Sequence, residues 1–446
     1  MQTPQVNDTL REDPARVFLD SILPPEGFKG GLFPYMHNSM SEFVPGKTSI
    51  FYSGPYWGTE EVQAAVGALL FGQWLAAGEA VRKFETEFAR KLGQKHALMV
   101  NSGSSANLVL VTAAKKHFEW ADGDEIIASV VGFPTTTAPV VQAGLKCVFV
   151  DIEMDSLNFD LDKVEAAITP RTRAILVSPV LGNAPDMDRL VKICREHGLV
   201  FLLDDCDSLG SKWNGKLLNT YAFASSNSFY SSHHLCTGEG GMVVSDDTGY
   251  MKIARSIAWW GRDCFCVGKA NLLKDGSCGD RFKKWLAPEY DEVVDHRYVF
   301  TQMGYNLKPL DLQGAIGSVQ LGRFDEIHER RRNAYTRISA ALRNHLDVSV
   351  PDALPQAETS WFGVPLVCRS KEQKQRLVQH FENAKIQTRP YFAGNLLIHP
   401  GYRHLGDYRA FPNANLVLDR VFFIGSAPHY TEPVFAYIED VAKAFI

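Results

Sequence analysis

The chain has 446 residues, 22% of them charged, and a formal net charge of −5. That length buries a core large enough for two or three domains, and the mild acidity argues against nucleic acid or an anionic membrane as the main partner. No apolar run approaches the ~18 residues of a membrane span, and "MQTPQVNDTLREDPARVF" lacks the basic start and apolar segment of a secretory signal, so a cytoplasmic location is expected.

Residues 1–55, rich in Pro, Gly and aromatics, read as an irregular arm. Two helices are predicted next, through "TEEVQAAVGALL" and "AVRKFETEFARKLG", from apolar residues at helical spacing. From His96 onward seven strand-like runs follow: "HALMVN", "DEIIASV", "LKCVFVDI", "RAILVSPV", "LVFLLDD", "FASSNSF" and "GMVVSD". Helical segments such as "SSANLVLVTAAKKH" and "DMDRLVKICREHG" separate several of them. This rhythm predicts an α/β fold with a mostly parallel, doubly wound seven-stranded sheet, whose ligands sit beyond the carboxyl ends of the strands. The large domain spans 56–325. The charged segment "LGRFDEIHERRRNAYTRISAALRNHL" reads as an exposed helix with a solvated face leading out of it. A smaller α/β domain follows over 326–446, with a strand in "WFGVPLVC" and a helix in "KEQKQRLVQHFENA".

Four short stretches carry chemistry. "VNSGSSANL" is a strand, a Gly-Ser turn and a helix start, whose N–H groups and hydroxyls suit a phosphate; a plain Ser N-cap gives the same pattern. In "VVGFPTTTAP", Phe133 follows a strand end and could stack on a planar heterocycle. "FLLDDCDSLGS" places acidic residues at the end of the most hydrophobic strand, and such groups are not buried without partners. "SFYSSHHLCTGEGGMVVSDD" is a Gly-rich turn that lets backbone approach a ligand closely.

Taken together and in this order, the four stretches resemble the DegT/DnrJ/StrS sugar aminotransferase and dehydratase family, enzymes of the pyridoxal phosphate (PLP) fold type I. The resemblance runs over about residues 55–446. It implies Gly103, Ser104, Ser105 and Ser228 at the cofactor phosphate, Phe133 on its ring, and Asp204 at its pyridine nitrogen, where a carboxylate keeps the ring an electron sink. "MGYNLKPLDLQGAIGSVQL" resembles the family's dimer segment, which implies a homodimer in which Asn306 reaches the partner's phosphate.

One position departs from the family. Members that transfer amino groups carry a lysine five residues before the first glycine of "GEGG", and counting back from Gly238 lands on His233, with His234 next to it. Histidine has no primary amine and cannot hold PLP covalently, but it accepts and returns a proton near neutral pH. The amine form of the cofactor, pyridoxamine phosphate (PMP), then becomes the working form. A histidine here is similar to the 3-dehydrases that make 3,6-dideoxy sugars, with His233 as the catalytic base and a nucleotide 4-keto-6-deoxy sugar as substrate.

The cysteines divide into two groups. Cys147, Cys194 and Cys368 sit in apolar periodic segments and read as core thiols. Cys206, Cys264, Cys266 and Cys278, in the pattern C-x57-C-x-C-x11-C, resemble the ligands of those 3-dehydrases that carry a [2Fe–2S] cluster. The last gap is longer than that resemblance leads one to expect, which leaves Cys236 as the alternative fourth ligand. A zinc site on the same thiolates would carry no electrons. The chain shows neither a Gly-rich dinucleotide fingerprint after a strand nor a flavin signature, so the cluster-bearing reading implies an NADH-dependent flavin/iron–sulfur reductase as electron donor. The colitose-type dehydratases have the histidine without the cysteines and recycle PMP with glutamate.

Overall fold

The computed structural model describes residues 43–72, 74–264 and 280–445, together with Val17. All seven expected strands join one sheet. They are β1 (His96–Val100), β2 (Glu125–Ser129), β3 (Lys146–Val150), β4 (Thr172–Val177), β5 (Val200–Asp204), β6 (Ala224–Ser228) and β7 (Gly241–Ser245), ordered β1-β7-β6-β5-β4-β2-β3. Pairs among β3, β2, β4, β5 and β6 are parallel, and β7 runs antiparallel to both β6 and β1. Most strands read as near-continuous apolar runs because helices cover both faces; β6, Ala-Ser-Ser-Asn-Ser, is buried but polar.

Helices α1 (Thr59–Phe71) and α2 (Glu79–Lys91) precede the sheet, and α3 (Gly103–His117), α4 (Pro134–Gln142), α5 (Leu161–Ala166), α6 (Met187–His197) and α7 (Thr248–Ala258) alternate with its strands. The ends of α3 are chemically marked. Ser102 caps its first turn, and Lys115, Lys116 and His117 complement the negative end of its dipole. α1 behaves differently from its sequence pattern. Its apolar end is uncovered, with Leu69, Leu70 and Phe71 more than half exposed, as are Trp74 and Leu75 just beyond it. This segment is bridged through Ala76 to Leu310, on a stretch where Met303 is 90% exposed.

α8 (Asp311–Gly322) leads into α9 (Phe324–His345), which connects two cores. Phe324 and Ile327 pack with large-domain residues such as Phe84 and Phe229. Ala334, Tyr335, Ile338 and Leu342 pack in the small domain, against Val364, Phe381 and Phe422. The expectation of an exposed, solvated helix is therefore corrected. Ile327, His328, Arg331, Ala334 and Tyr335 form an inward stripe at helical spacing, and Arg331 is 0% exposed.

The small domain contains β8 (Gly363–Val367), α10 (Lys371–Asn383), β9 (Thr388–Pro390), α11 (Pro412–Arg420), β10 (Val421–Gly425) and α12 (Glu432–Lys443). Its strands form an antiparallel sheet in the order β8-β10-β9. Of the expected N-terminal arm, residues 1–42 lie outside the described residues apart from Val17. Beyond them the chain packs on the small domain, where Ile50 is buried and bridges Ile386.

Candidate active site

At the carboxyl ends of β1, β5 and β6 lies a cavity of about 490 Å³, with Gly103, Ser104, Phe133, Asp204, Cys206, Asp207, Ser228, His233 and Arg389 among its lining residues. Its floor is built from a close approach of backbones. A Cβ on Gly103 would stand 2.4 Å from Cβ of Ser228, and one on Gly241 would stand 2.2 Å from the Ser102 carbonyl oxygen. Glycine at both places lets the start of α3 sit directly against the ends of β6 and β7. The N-terminus of α3 thus opens onto the cavity beside the Ser104 and Ser228 hydroxyls, a cradle for a phosphate. Ser105 is turned elsewhere: its N–H donates to Ser102 Oγ at 3.1 Å and its hydroxyl accepts from Ser102 at 3.0 Å.

Asp204, 3% exposed, ends β5. Its Oδ2 accepts from Asn107 Nδ2 at 2.8 Å and Thr136 Oγ1 at 2.7 Å, while Oδ1 accepts the Cys206 N–H at 3.2 Å. The Asn107 carbonyl oxygen accepts in turn from Ser226 Oγ. A carboxylate held on both oxygens, by side chains from two helices and by the main chain of the turn that follows it, is oriented rather than free. The sequence reading missed Asn107 and Thr136, although both lie inside quoted motifs. Phe133 caps α4, stays 53% exposed on the cavity wall, and meets Phe392 edge-on at 6.1 Å.

The structure separates the two histidines. His233 lines the cavity, packs on Phe362 at 5.3 Å, and places Nδ1 3.6 Å from Asp207 Oδ1. That Nδ1 is buried without a hydrogen-bond partner. His234 points away: its Nε2 meets the Ser360 carbonyl and its ring lies parallel to His328 at 5.3 Å. Burial, helped by the Arg331 charge, pushes His233 down to about 4. Burial and the Asp204 charge push Asp207 up to about 7. The imidazole is therefore neutral near pH 7, the form that accepts a proton.

The described residues fit PLP or PMP: a phosphate cradle, an aromatic wall, an oriented carboxylate and a buried imidazole nitrogen without a partner. For a cluster the test is narrower. Cys206 lines the cavity and Cys264 is half-buried, but Cys266 and Cys278 lie outside the described residues. Among the described residues, no three His, Cys, Asp or Glu side chains converge as a metal site. Burial, with Asp204 next, holds the Cys206 thiol well above its usual range. Cys236 is buried within the turn, with Sγ accepting the Gly238 N–H at 3.3 Å, and lines the neighbouring cavity of about 600 Å³.

Arg389 lies at the junction of the two cavities, which also share Tyr52, Tyr230 and Ser232. Its guanidinium stacks 4.2 Å above the Tyr52 ring. Asn306 is not part of the cavity wall; its backbone bridges Trp259 and its side-chain oxygen accepts from Lys308 Nζ. No helix among the described residues is long and apolar enough to cross a membrane.

Comparison with known proteins places this geometry. A family profile described as the DegT/DnrJ/EryC1/StrS aminotransferase family matches residues 57–444. The chain is 37% identical to a dTDP-4-dehydro-2,6-dideoxy-D-glucose 3-dehydratase of Saccharopolyspora spinosa, over 91% of this chain and 88% of that one. It is 35% identical to the lipopolysaccharide biosynthesis protein RfbH of Salmonella typhimurium, over 91% of this chain and 94% of the relative. The solved structure of E. coli GDP-4-keto-6-deoxy-D-mannose-3-dehydratase with bound hydrated PLP superposes with a TM-score of 0.74 at 29% identity, covering 88% of this chain and 100% of that one.

Proposed function

The chain belongs to the DegT/DnrJ/EryC1/StrS aminotransferase family, and from that premise we propose that it is a 3-dehydratase of nucleotide-linked 4-keto-6-deoxyhexoses, acting with PMP in dideoxy sugar biosynthesis. The observation that carries this reading is His233, a neutral buried imidazole on the cavity wall at the position where amino-transferring relatives carry lysine. Relatives named as 3-dehydratases of dTDP- and GDP-linked sugars support the substrate class.

When bound, the cofactor would supply an amine that joins the sugar's 4-keto carbon and a protonated pyridine ring that spreads the charge left by proton removal at the amine-bearing carbon, the electron pair passing to the sugar as its C3 hydroxyl leaves. The protein's residues do the rest. The α3 N-terminus, Ser104 and Ser228 hold the phosphate, Phe133 covers the ring, and Asp204 faces the ring nitrogen. His233 removes the proton at the amine-bearing carbon, where a lysine would instead have bonded to the cofactor. Arg389, between the two cavities, meets the substrate's diphosphate.

Loss of water leaves the sugar's oxidation level unchanged. Replacing C3–OH by C3–H requires two further electrons. We assign them to a [2Fe–2S] cluster on Cys206, Cys264, Cys266 and Cys278, fed by an NADH-dependent flavin/iron–sulfur reductase. The four-cysteine spacing and the place of Cys206 on the cavity wall support this assignment. The second reading is a glutamate-driven 3-dehydratase without a cluster, favoured by the solved GDP-4-keto-6-deoxymannose-3-dehydratase, 29% identical to this chain, that holds a trapped PLP-glutamate geminal diamine. A homodimer is part of the proposal, with Asn306 reaching the partner's site; the uncovered apolar residues from Leu69 to Leu75 and at Met303 support it.

One assay separates the readings. With PMP, a 4-keto-6-deoxy nucleotide sugar and the reductase with NADH, the 3-deoxy-4-keto product is expected over many turnovers; with glutamate as sole co-substrate it is not. Efficient turnover on glutamate alone overturns the electron-transfer assignment in favour of the second reading.

A further inference from the structure

Arg331 is fully buried on α9, outside every stretch to which the sequence assigns chemistry. Buried arginines are rare without a carboxylate partner, because removing the charge from water is costly. The carboxylate whose charge acts on it is Asp207, but its hydrogen bonds run to main-chain carbonyls. Nη2 donates to Ser232 at 3.3 Å and to His233 at 3.2 Å, and Nη1 donates to Phe362 at 3.4 Å. Nε has no hydrogen-bond partner.

These three carbonyls belong to two different parts of the molecule. Ser232 and His233 lie on the turn that carries the base; Phe362 immediately precedes the first small-domain strand, and its ring is the surface on which the His233 imidazole rests. The same turn is held from other sides. Ser53 Oγ donates to the Ser232 carbonyl at 2.5 Å, and His328, one turn before Arg331 on α9, stacks on His234. Gly238 and Gly240, in the same turn, have positive φ values of 84° and 156°, so an external tether defines where the imidazole stands.

We infer that Arg331 is a positioning residue for the base: its guanidinium fork clamps the His233 turn to the Phe362 segment and so fixes the imidazole over the cavity. The inference rests on the proposed role of His233 for its catalytic consequence, but not for its structural one. A lysine cannot replace the fork, since one ammonium does not present the planar pair of nitrogens that spans both segments.

The test uses the full-length protein carrying Arg331→Ala and Arg331→Lys. Hydrogen exchange followed by mass spectrometry is expected to show faster exchange over residues 228–241 in both variants, with α9 and the small-domain strands unchanged. In turnover, Arg331→Ala is expected to lose about 100-fold in kcat, the scale of a misplaced catalytic group, with KM for the nucleotide sugar within about twofold. Added guanidinium ion is expected to restore part of kcat in Arg331→Ala but none in His233→Asn. Should Arg331→Ala fail to fold, Arg331→Lys carries the test, with a loss of about tenfold in kcat and the same local exchange. Wild-type exchange over 228–241 in a folded variant overturns the inference. So does faster exchange throughout α9 and the small domain, which marks a merely structural residue. If wild-type protein shows no dehydratase turnover, the functional reading fails by itself, and the exchange data still decide the role of Arg331.

Discussion

His233→Lys is expected to give a protein that bonds covalently to PLP, with an adduct that borohydride makes permanent, and to lose 3-dehydratase turnover. The side chain starts in the cavity, beside the cradle formed by Gly103, Ser104 and Ser228, so an amine there meets the cofactor's aldehyde. His233→Asn keeps a polar side chain but no proton acceptor, and a drop of about 10²- to 10⁴-fold in turnover is expected, the usual contribution of a general base. His234→Lys is the control. Its ring is fixed against His328 and the Ser360 carbonyl and does not line the cavity, so a lower melting temperature and no adduct are expected. An adduct at 234 and none at 233, identified by peptide mass, would show that the base has been assigned to the wrong histidine.

Ser in place of Cys206, Cys264, Cys266 or Cys278 is expected to remove iron and with it the deoxygenated product, while PMP binding stays largely intact. Four thiolates are what a [2Fe–2S] cluster requires, and loss of one leaves an iron site incomplete. PMP binding persists because the cradle and Asp204 do not depend on the thiols: Asp204 is oriented by the Asn107 and Thr136 side chains and by the Cys206 main chain. Ala in place of Cys147, Cys194 or Cys368 should leave iron content unchanged, since these thiols are buried in three separate hydrophobic clusters. Iron per protomer, measured by emission spectrometry beside the visible spectrum, reads the result. Full iron in Cys278→Ser points to Cys236 as the fourth ligand; full iron in Cys206→Ser removes the cluster from the cavity.

The sheet was legible because its strands are short and, apart from the polar but buried β6, mostly apolar, with turn residues between elements. The motif residues were legible for a different reason. Gly103, Ser104, Asp204 and Ser228 lie at or just beyond strand ends and His233 lies in the turn after β6, where short-range spacing carries the information. What escaped depends on contacts between distant segments. Asn107 and Thr136 meet at Asp204 across separations of 97 and 68 residues, and no local pattern pairs them. Arg331 was hidden by composition. In "HERRRNAYTR" the charges suggest a solvated face, yet only Arg331 of the three consecutive arginines falls on the stripe shared by Ile327, His328, Ala334 and Tyr335. Ser105 sits in the same motif, but its N–H donates to Ser102 Oγ and its hydroxyl accepts from Ser102, contacts that the motif alone does not reveal.

The proposed function turns on proton transfer by His233 at the cofactor's amine-bearing carbon, ahead of any reduction. Solvent exchange reads that step alone. Wild-type protein is incubated with PMP and a 4-keto-6-deoxy nucleotide sugar in deuterated water, with no electron donor, and the label at that carbon of PMP is followed by mass spectrometry. Deuterium is expected to enter in the wild-type protein and in Cys264→Ser, without accumulation of a deoxy sugar, and to be absent in His233→Asn. Exchange at the wild-type rate in His233→Asn, or none in the wild-type protein with PMP and sugar bound, would contradict the account.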